Sequence, residues 1–293
     1  MRAALVLVLL VASAGASAPL PETIQARIRD FPGNVSLYAK NLDTGVAVGL
    51  HESDPVRTAS TIKVAVMAAV FDAVAHGRAK WTELLTWTAA DKVSGSAILA
   101  NEDRIRFPLR DVVHLMIEVS DNTATNMILQ RFTTDGVNAY LDKIGIPTTR
   151  SLRKVQGDGP DTKATAGFSA AGNLPENQKY GLGISTPRDM VAILEKLERG
   201  ELVSPESSRE MIAVLKRCQD GTCIRRRLGD LPVANKTGSL DALRSDVGIV
   251  YSKGGRIAMA ITVDGMKIDY SPNNPGSTLI ADLAKMLVDG LAR

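Results

Sequence analysis

The sequence predicts a two-lobed fold, α/β in one lobe and all-α in the other, with an antiparallel sheet built from both chain ends and a helical lobe inserted between them. Three observations lead there. Strand-like runs occur only near the two ends, helical periodicity fills the interval, and short polar motifs fall where these elements meet.

The elements follow in order. Met1-Arg2, the apolar run from Ala3 to Ala12 and the small residues Ala14-Gly15-Ala16 read as a secretory signal peptide over residues 1–16. Cleavage is expected after Ala16, because a cut after Ala18 leaves Pro19 beside the scissile bond. The alternative, a membrane anchor, is opposed by the run's length and by the lack of a following cysteine able to carry a lipid. The expectation is export, periplasmic or secreted, with no stable membrane anchor. Residues 20–31 form an amphipathic helix with Ile24, Ile28 and Phe31 on one side. Strands at 35–39 and 46–50 are joined by the turn Leu42-Asp43-Thr44-Gly45. Asn34-Val35-Ser36 is either the start of that first strand or a glycosylation sequon. From Ser60 to about Arg217 apolar spacing is helical, near 110–118, 123–132, 135–144, 187–199 and 205–216. Strand character returns at 232–237, 246–251 and 256–263, and 277–291 is a closing helix. The lobes are therefore drawn at residues 19–57 with 218–293 for the sheet, and 58–217 for the helices.

Composition narrows the function. The formal charge of +3 falls to +2 once Arg2 leaves, which is near neutral. Arg225-Arg226-Arg227 is a basic cluster with no interleaved aromatics, so it reads as a solvated face and not a nucleic-acid site. His51, His76 and His114 are scattered with no ligand spacing, and neither metal nor cofactor is expected. Cys218 and Cys223 flank Gln219-Asp220-Gly221-Thr222; in an oxidising compartment a disulfide is expected there, two free thiols being the alternative.

Ser60-Thr61-Ile62-Lys63, Ser120-Asp121-Asn122 and Lys236-Thr237-Gly238 carry the chemistry. Ser60 opens a run from Lys63 to Phe71 that is apolar on every face and therefore reads as a buried helix. Lys63 lies one turn beyond Ser60 on the same face, within reach of its hydroxyl. Read alone, Ser60 could equally be a helix cap and Lys63 a lysine reaching solvent. Three motifs in this order favour an acyl-transfer site in the cleft between lobes.

On these residues, continued by Thr123-Ala124-Thr125-Asn126, by Arg244 on the next strand and by Gly95-Ser96-Ala97-Ile98-Leu99, the chain resembles the class A β-lactamases and penicillin-binding serine enzymes. The resemblance covers nearly all of the chain after the signal segment and implies a serine β-lactamase-like fold. It implies Ser60 as nucleophile, Lys63 as general base and Ser120 as proton relay to the leaving nitrogen. Asn122 would hold the acylamide side chain, and Asp121 would brace the loop. Lys236, Thr237 and Arg244 would bind a substrate carboxylate, with the backbone N–H groups of Ser60 and Ser239 as oxyanion hole. The pattern breaks at deacylation. The E-x-x-L-N segment of class A enzymes has no counterpart between Arg153 and Pro187. Gln156 falls near the glutamate's place and cannot act as a base. Glu176 is the only glutamate of the interval, beside Asp158 and Asp161, and all three also read as solvated loop charges. The expected function is a β-lactamase-like serine hydrolase, monomeric, acting on a small molecule. A D-Ala-D-Ala peptidase or esterase, a slowly deacylating penicillin-binding or sensing protein, and a scaffold pseudoenzyme are the alternatives.

Overall fold

The computed structural model describes residues 20–88, 91–93, 98–101, 106–156, 166–269, 271 and 273–292. The signal segment, Gly95-Ser96-Ala97, Asp158 and Asp161 lie outside the described residues. Helix α1 (Leu20–Ile28) leads into β1 (Asn34–Asn41), β2 (Ala47–Leu50) and the two-residue β3 (Val56–Arg57). Then come α2 (Lys63–Ala75), the paired β4 (Leu84–Thr86) and β5 (Arg106–Pro108), α3 (Leu109–Glu118), α4 (Asn122–Phe132) and α5 (Thr134–Lys143). Short strands β6 (Arg150–Ser151) and β7 (Gly183–Ser185) precede α6 (Pro187–Arg199) and α7 (Pro205–Lys216). The chain closes with β8 (Val233–Leu240), β9 (Leu243–Ser252), β10 (Gly255–Asp264) and α8 (Pro275–Leu291).

The main sheet has the order β2-β1-β10-β9-β8, with every pair antiparallel. Strands from the two chain ends share it: β1 pairs with β10 from Asn34 opposite Asp264 to Asn41 opposite Ile257. Side chains alternate across the pleat. Ile257, Met259, Ile261 and Val263 enter a core with α8, whereas Ala258 and Ala260 face the larger core built on α2 to α7. Covering both faces accounts for the continuous apolar run of β10, which alternation alone does not predict.

Local chemistry starts the helices. Thr186, Ser204 and Asn274 each accept a hydrogen bond from the first turn of α6, α7 and α8, and each is followed by a proline at the first helical position. Helix α6 stops at Gly200, which adopts the left-handed conformation with φ 77°.

A second, three-stranded sheet, β3-β7-β6, has no counterpart in the periodicity of the sequence, because its strands are two or three residues long. It matters for the site. Arg57 and Arg150 both pair with Ile184, and the Thr58 amide donates to the Gly183 carbonyl at 3.0 Å. Both ends of the 152–182 segment are thereby joined to the backbone just ahead of Ser60, and the Leu152 amide closes them on the Leu182 carbonyl at 2.9 Å.

Candidate active site

Ser60 sits in a 3-10 turn, Ala59–Ile62, that runs directly into α2. Ala59 ahead of it holds φ +46°, and Ser120 holds φ +58°. Non-glycine residues rarely adopt this region, and such conformations concentrate at functional sites, where surrounding structure enforces them. The enforcement at Ala59 is visible in Gly238. A Cβ there would come within 2.8 Å of the Thr58 carbonyl and 3.0 Å of the Ser60 amide. The glycine of Lys236-Thr237-Gly238 thus lets β8 lie against the backbone of the Ser60 turn.

Lys63 is completely buried at the start of α2. Its Nζ donates to the Ser120 carbonyl at 2.8 Å, to Ser120 Oγ at 3.2 Å and to Asn122 Oδ1 at 2.9 Å. Burial pushes its pKa well below that of an ordinary lysine, and the neighbouring Lys236 pushes the same way; the Asp121 carboxylate opposes them. The three bonds Nζ donates are those of the ammonium, and desolvation shifts the balance toward the neutral amine, which can accept a proton. Lys236, equally buried, donates to the Thr237 carbonyl at 2.9 Å, and desolvation lowers its pKa as well.

Asp121 caps α4 and spends its carboxylate on the backbone. Oδ1 accepts from the Ala124 amide at 2.8 Å, and Oδ2 accepts from Ile98 and Leu99 at 2.9 and 2.8 Å. This is a bracing geometry, and it fixes Ser120 and Asn122 on either side. One turn beyond Asn122, Asn126 holds Val155 in both directions, donating to its carbonyl at 2.9 Å and accepting from its amide at 2.8 Å. The segment 153–156 therefore runs past Asn122.

The predicted residues are divided between two cavities. Ser60, Asn122, Ser239 and Arg244 line a cleft of about 620 Å³ together with Arg57, Arg153, Gln156 and residues 178–182. Ser120 and Lys236 line a neighbouring cavity of about 530 Å³ with Glu118, Cys218 and Asp220. Thr237 is buried. Arg244 is not presented as an open fork beside Lys236. Its Nη1 donates to the Leu240 and Leu243 carbonyls at 2.7 Å each, and its Nη2 to the Asp269 carbonyl at 3.0 Å. These bonds hold its charge at the cleft wall. Glu176 is exposed on the 3-10 turn Pro175–Tyr180 and is absent from the cleft lining, while Gln156 is part of it.

The expected disulfide is corrected. Cys218 and Cys223 are both free and buried. They serve different surroundings: Cys223 packs in the α8-side core, and Cys218 faces the second cavity beside Lys236. The turn between them closes without a covalent link, because the Thr222 amide and hydroxyl both donate to Asp220 Oδ1, at 3.0 and 2.6 Å. Burial raises both thiols above their ordinary range, Cys223 to about 12.

Sequence reasoning passed over three contributors: the bracing by Asn126, the close approach at Gly238, and Arg153. Asn126, one turn after Asn122 on the same face, carried a readable signal. Arg153 offered none beyond being a cation in the interval.

A serine at the head of a buried helix, lining one cleft, and a desolvated lysine bonded to a second serine that lines the other cavity are the parts expected of a serine acyl-transfer site. Comparison with known proteins agrees. A model of the "Beta-lactamase enzyme family" matches residues 19–291, and the chain belongs to that family; it is a β-lactamase-like serine hydrolase. The structure of a β-lactamase from Sphaerobacter thermophilus is 27% identical, with a TM-score of 0.78 over 93% of this chain and 96% of that one. PBP-A is also 27% identical, with a TM-score of 0.76 over 92% of this chain and 94% of its own, and a variant of it is described as an acyl-enzyme complex with penicillin G. An imipenem-hydrolyzing β-lactamase of Enterobacter cloacae is 23% identical over 275 residues, 89% of this chain and 86% of that protein.

Proposed function

We propose that this protein opens β-lactam rings through a Ser60 acyl-enzyme that then hydrolyses slowly. The observation that carries the reading is the buried Lys63 amine, shifted toward its neutral form and bonded to Ser120 Oγ at 3.2 Å, one turn from Ser60. Ser60 Oγ attacks the lactam carbonyl carbon while its proton passes to Lys63 Nζ. The new oxyanion accepts hydrogen bonds from the backbone N–H groups of Ser60 and Ser239, each such donor contributing about 10²–10³ in rate. As the C–N bond breaks, Ser120 gives its proton to the lactam nitrogen and takes one from Lys63, leaving a serine ester and a neutral lysine. Asn122 orients the acylamide group. Lys236, Thr237 and Arg244 supply the positive field for the substrate carboxylate.

Hydrolysis of the ester needs a base for water, and here the site is poor. Among the described residues that line the Ser60 cleft the single carboxylate is Asp241, in the β8–β9 turn. Gln156 cannot take a proton, and Glu176 faces solvent. This favours a persistent intermediate, whether the physiological role is resistance or penicillin sensing. Export through the 1–16 segment, action in the periplasm or outside the cell, and a monomeric state belong to the same proposal. No helix among the described residues is long and apolar enough to cross a membrane.

The test is time-resolved mass spectrometry with benzylpenicillin. An adduct of the drug's mass on the Ser60 peptide should form quickly and decay slowly, and Ser60→Ala should form none. An adduct on another residue, or the same adduct in the Ser60→Ala protein, ends this reading.

A further inference from the structure

Arg153 and Lys154 are adjacent cations treated in opposite ways by the fold. Lys154 is buried against Asp91 at 3.1 Å, with the Gln130 side-chain oxygen as a further acceptor. Arg153 is half-buried in the wall of the Ser60 cleft and makes one hydrogen bond, from Nη1 to the Lys154 carbonyl at 3.2 Å. No carboxylate among the described residues pairs with it. Arg57, on the same wall, is by contrast paired with Asp264, its Nε at 2.8 Å from Oδ2. A guanidinium has five donors, and withdrawing it from water without acceptors is costly. Burial is correspondingly the single cause that lowers the Arg153 pKa, with no anion to offset it.

Its position gives the missing acceptor a location. The 153–156 segment is held to α4 by Asn126, one turn from Asn122, so Arg153 stands beyond the residue assigned to the acylamide group. Beside it the lining continues with residues 178–182, where Arg153 Nη2 lies 3.6 Å from the place a Cβ of Gly181 would take. Lys179 adds a second cation there, its Nζ 5.1 Å from the Tyr180 ring and in no ion pair among the described residues. The cleft's acid, Asp241, lies with Leu240 and Ala242 in the β8–β9 turn.

We infer that Arg153, assisted by Lys179, forms an anion subsite at the acyl end of the cleft, and that the preferred substrates are acyl donors with a second carboxylate on the acyl side chain. The inference rests on the Ser60 reading and specifies its substrate class. Arg153 forms a forked pair with the side-chain carboxylate while the ring carboxylate is held at the Lys236 side.

The matched probes are benzylpenicillin and α-carboxybenzylpenicillin, which differ by that one carboxylate. In the intact protein the ratio of their acylation rate constants should favour the carboxylated drug by about 10- to 100-fold, the span of a charge-assisted hydrogen bond. The ratio should fall to about one or below in Arg153→Gln, fall partway in Arg153→Lys, which keeps charge but loses the fork, and shrink with added salt. Binding to the Ser60→Ala protein, read by calorimetry with and without Arg153→Gln, should give the same order with no acylation involved. If Arg153→Gln slows both drugs in equal proportion, or the Ser60→Ala protein binds both alike, Arg153 merely supports the loop and the subsite is refuted. If no penicillin acylates the intact protein yet calorimetry retains the Arg153-dependent preference, the catalytic reading fails and the subsite stands.

Discussion

The two halves of the site are built to different standards. On the acylation side Lys63, Ser120 and Asn122 stand at the beginnings of α2 and α4, joined by three hydrogen bonds, and Lys63 and Lys236 are fully buried. Both lysines are fixed by hydrogen bonds, Lys63 to Ser120 and Asn122 and Lys236 to the Thr237 carbonyl. On the opposite side, 153–156 and 175–182 are irregular or 3-10 backbone, half-buried or exposed apart from Lys154 and Leu182, carrying cations and amides and no acid that lines the cleft. Dense, dry geometry suits the step in which a hydroxyl must lose its proton to a lysine. A side whose described residues direct no carboxylate into the cleft does not suit activation of water. The contrast predicts an enzyme fast in its first step and slow in its second.

The largest effect should come from disturbing the acylation side. Lys63→Met keeps the volume of the buried stem and removes the amine, so formation of the Ser60 adduct should slow by about 10²–10⁴, the contribution of a positioned base. Stopped-flow release from a chromogenic cephalosporin reads this rate. A loss under about tenfold would mean that another group deprotonates Ser60, and the contrast between the two sides would then collapse from its stronger half. The variant also leaves the Ser120 carbonyl, Ser120 Oγ and Asn122 Oδ1 without their shared donor, at a cost of about 1–3 kcal/mol for a buried group left unsatisfied, so its thermal unfolding is measured alongside to separate a chemical loss from unfolding.

A smaller change is expected on the other side. Gln156 already lines the cleft, so Gln156→Glu places a carboxylate there without altering length or shape. Decay of the adduct should accelerate by about tenfold or more, part of the about 10²–10⁴ available to a fully aligned base, with acylation little changed. Mass spectrometry of the adduct after removal of free drug measures the decay directly. Unchanged decay would place the obstacle in the position of water, and not in the missing base.

These regions also differ in how far they could be read in advance. The acylation side was legible where its signals are local, Ser60 and Lys63 sharing one turn and Asp121 standing beside Asn122, while the bonds from Lys63 to Ser120 and Asn122 span 57 and 59 residues and were carried by the resemblance. Apolar spacing likewise located α6, α7 and α8, and the cap-and-proline starts at Thr186, Ser204 and Asn274 are a sequence signal that went unread. The opposite side depends on contacts that sequence spacing does not encode. Strands β3, β6 and β7 are too short for a periodic signal, yet they determine where Leu152 and Leu182 lie. The same limit explains the error at Cys218 and Cys223. Nearness in sequence favoured a disulfide, while burial of each thiol in a separate environment is a property of the folded sheet. Arg244 was expected to open toward substrate beside Lys236, and the carbonyls that tie it down come from the β8–β9 turn and from Asp269, 25 residues further along.

The smallest effect on the reaction is expected at Asp246, which supports the acylation side from beneath the sheet. Completely buried, it accepts from Asn235 Nδ2 at 3.0 Å on both oxygens and from the Ile224 amide at 2.9 Å, and burial raises its pKa from 3.8 to about 7. Asn235 precedes Lys236, so this carboxyl helps hold β8 in register at that lysine. Between about pH 4 and 7 the folded protein keeps a proton here that the unfolded chain has lost, so its contribution to stability is full below that window and declines as pH rises through it. Denaturant unfolding across pH 4–8 should therefore slope downward more steeply for the parent than for Asp246→Asn, whose side chain resembles the protonated acid and does not titrate. The acylation rate of the variant should change by less than that of Lys63→Met by at least an order of magnitude, because the Asp246 side chain bonds Asn235 and the Ile224 amide, and Asp246 adjoins Thr237 by strand pairing alone. Parallel pH profiles for the two proteins would show that Asp246 is ionised throughout, and that Lys236 neutralises it more strongly than burial opposes it.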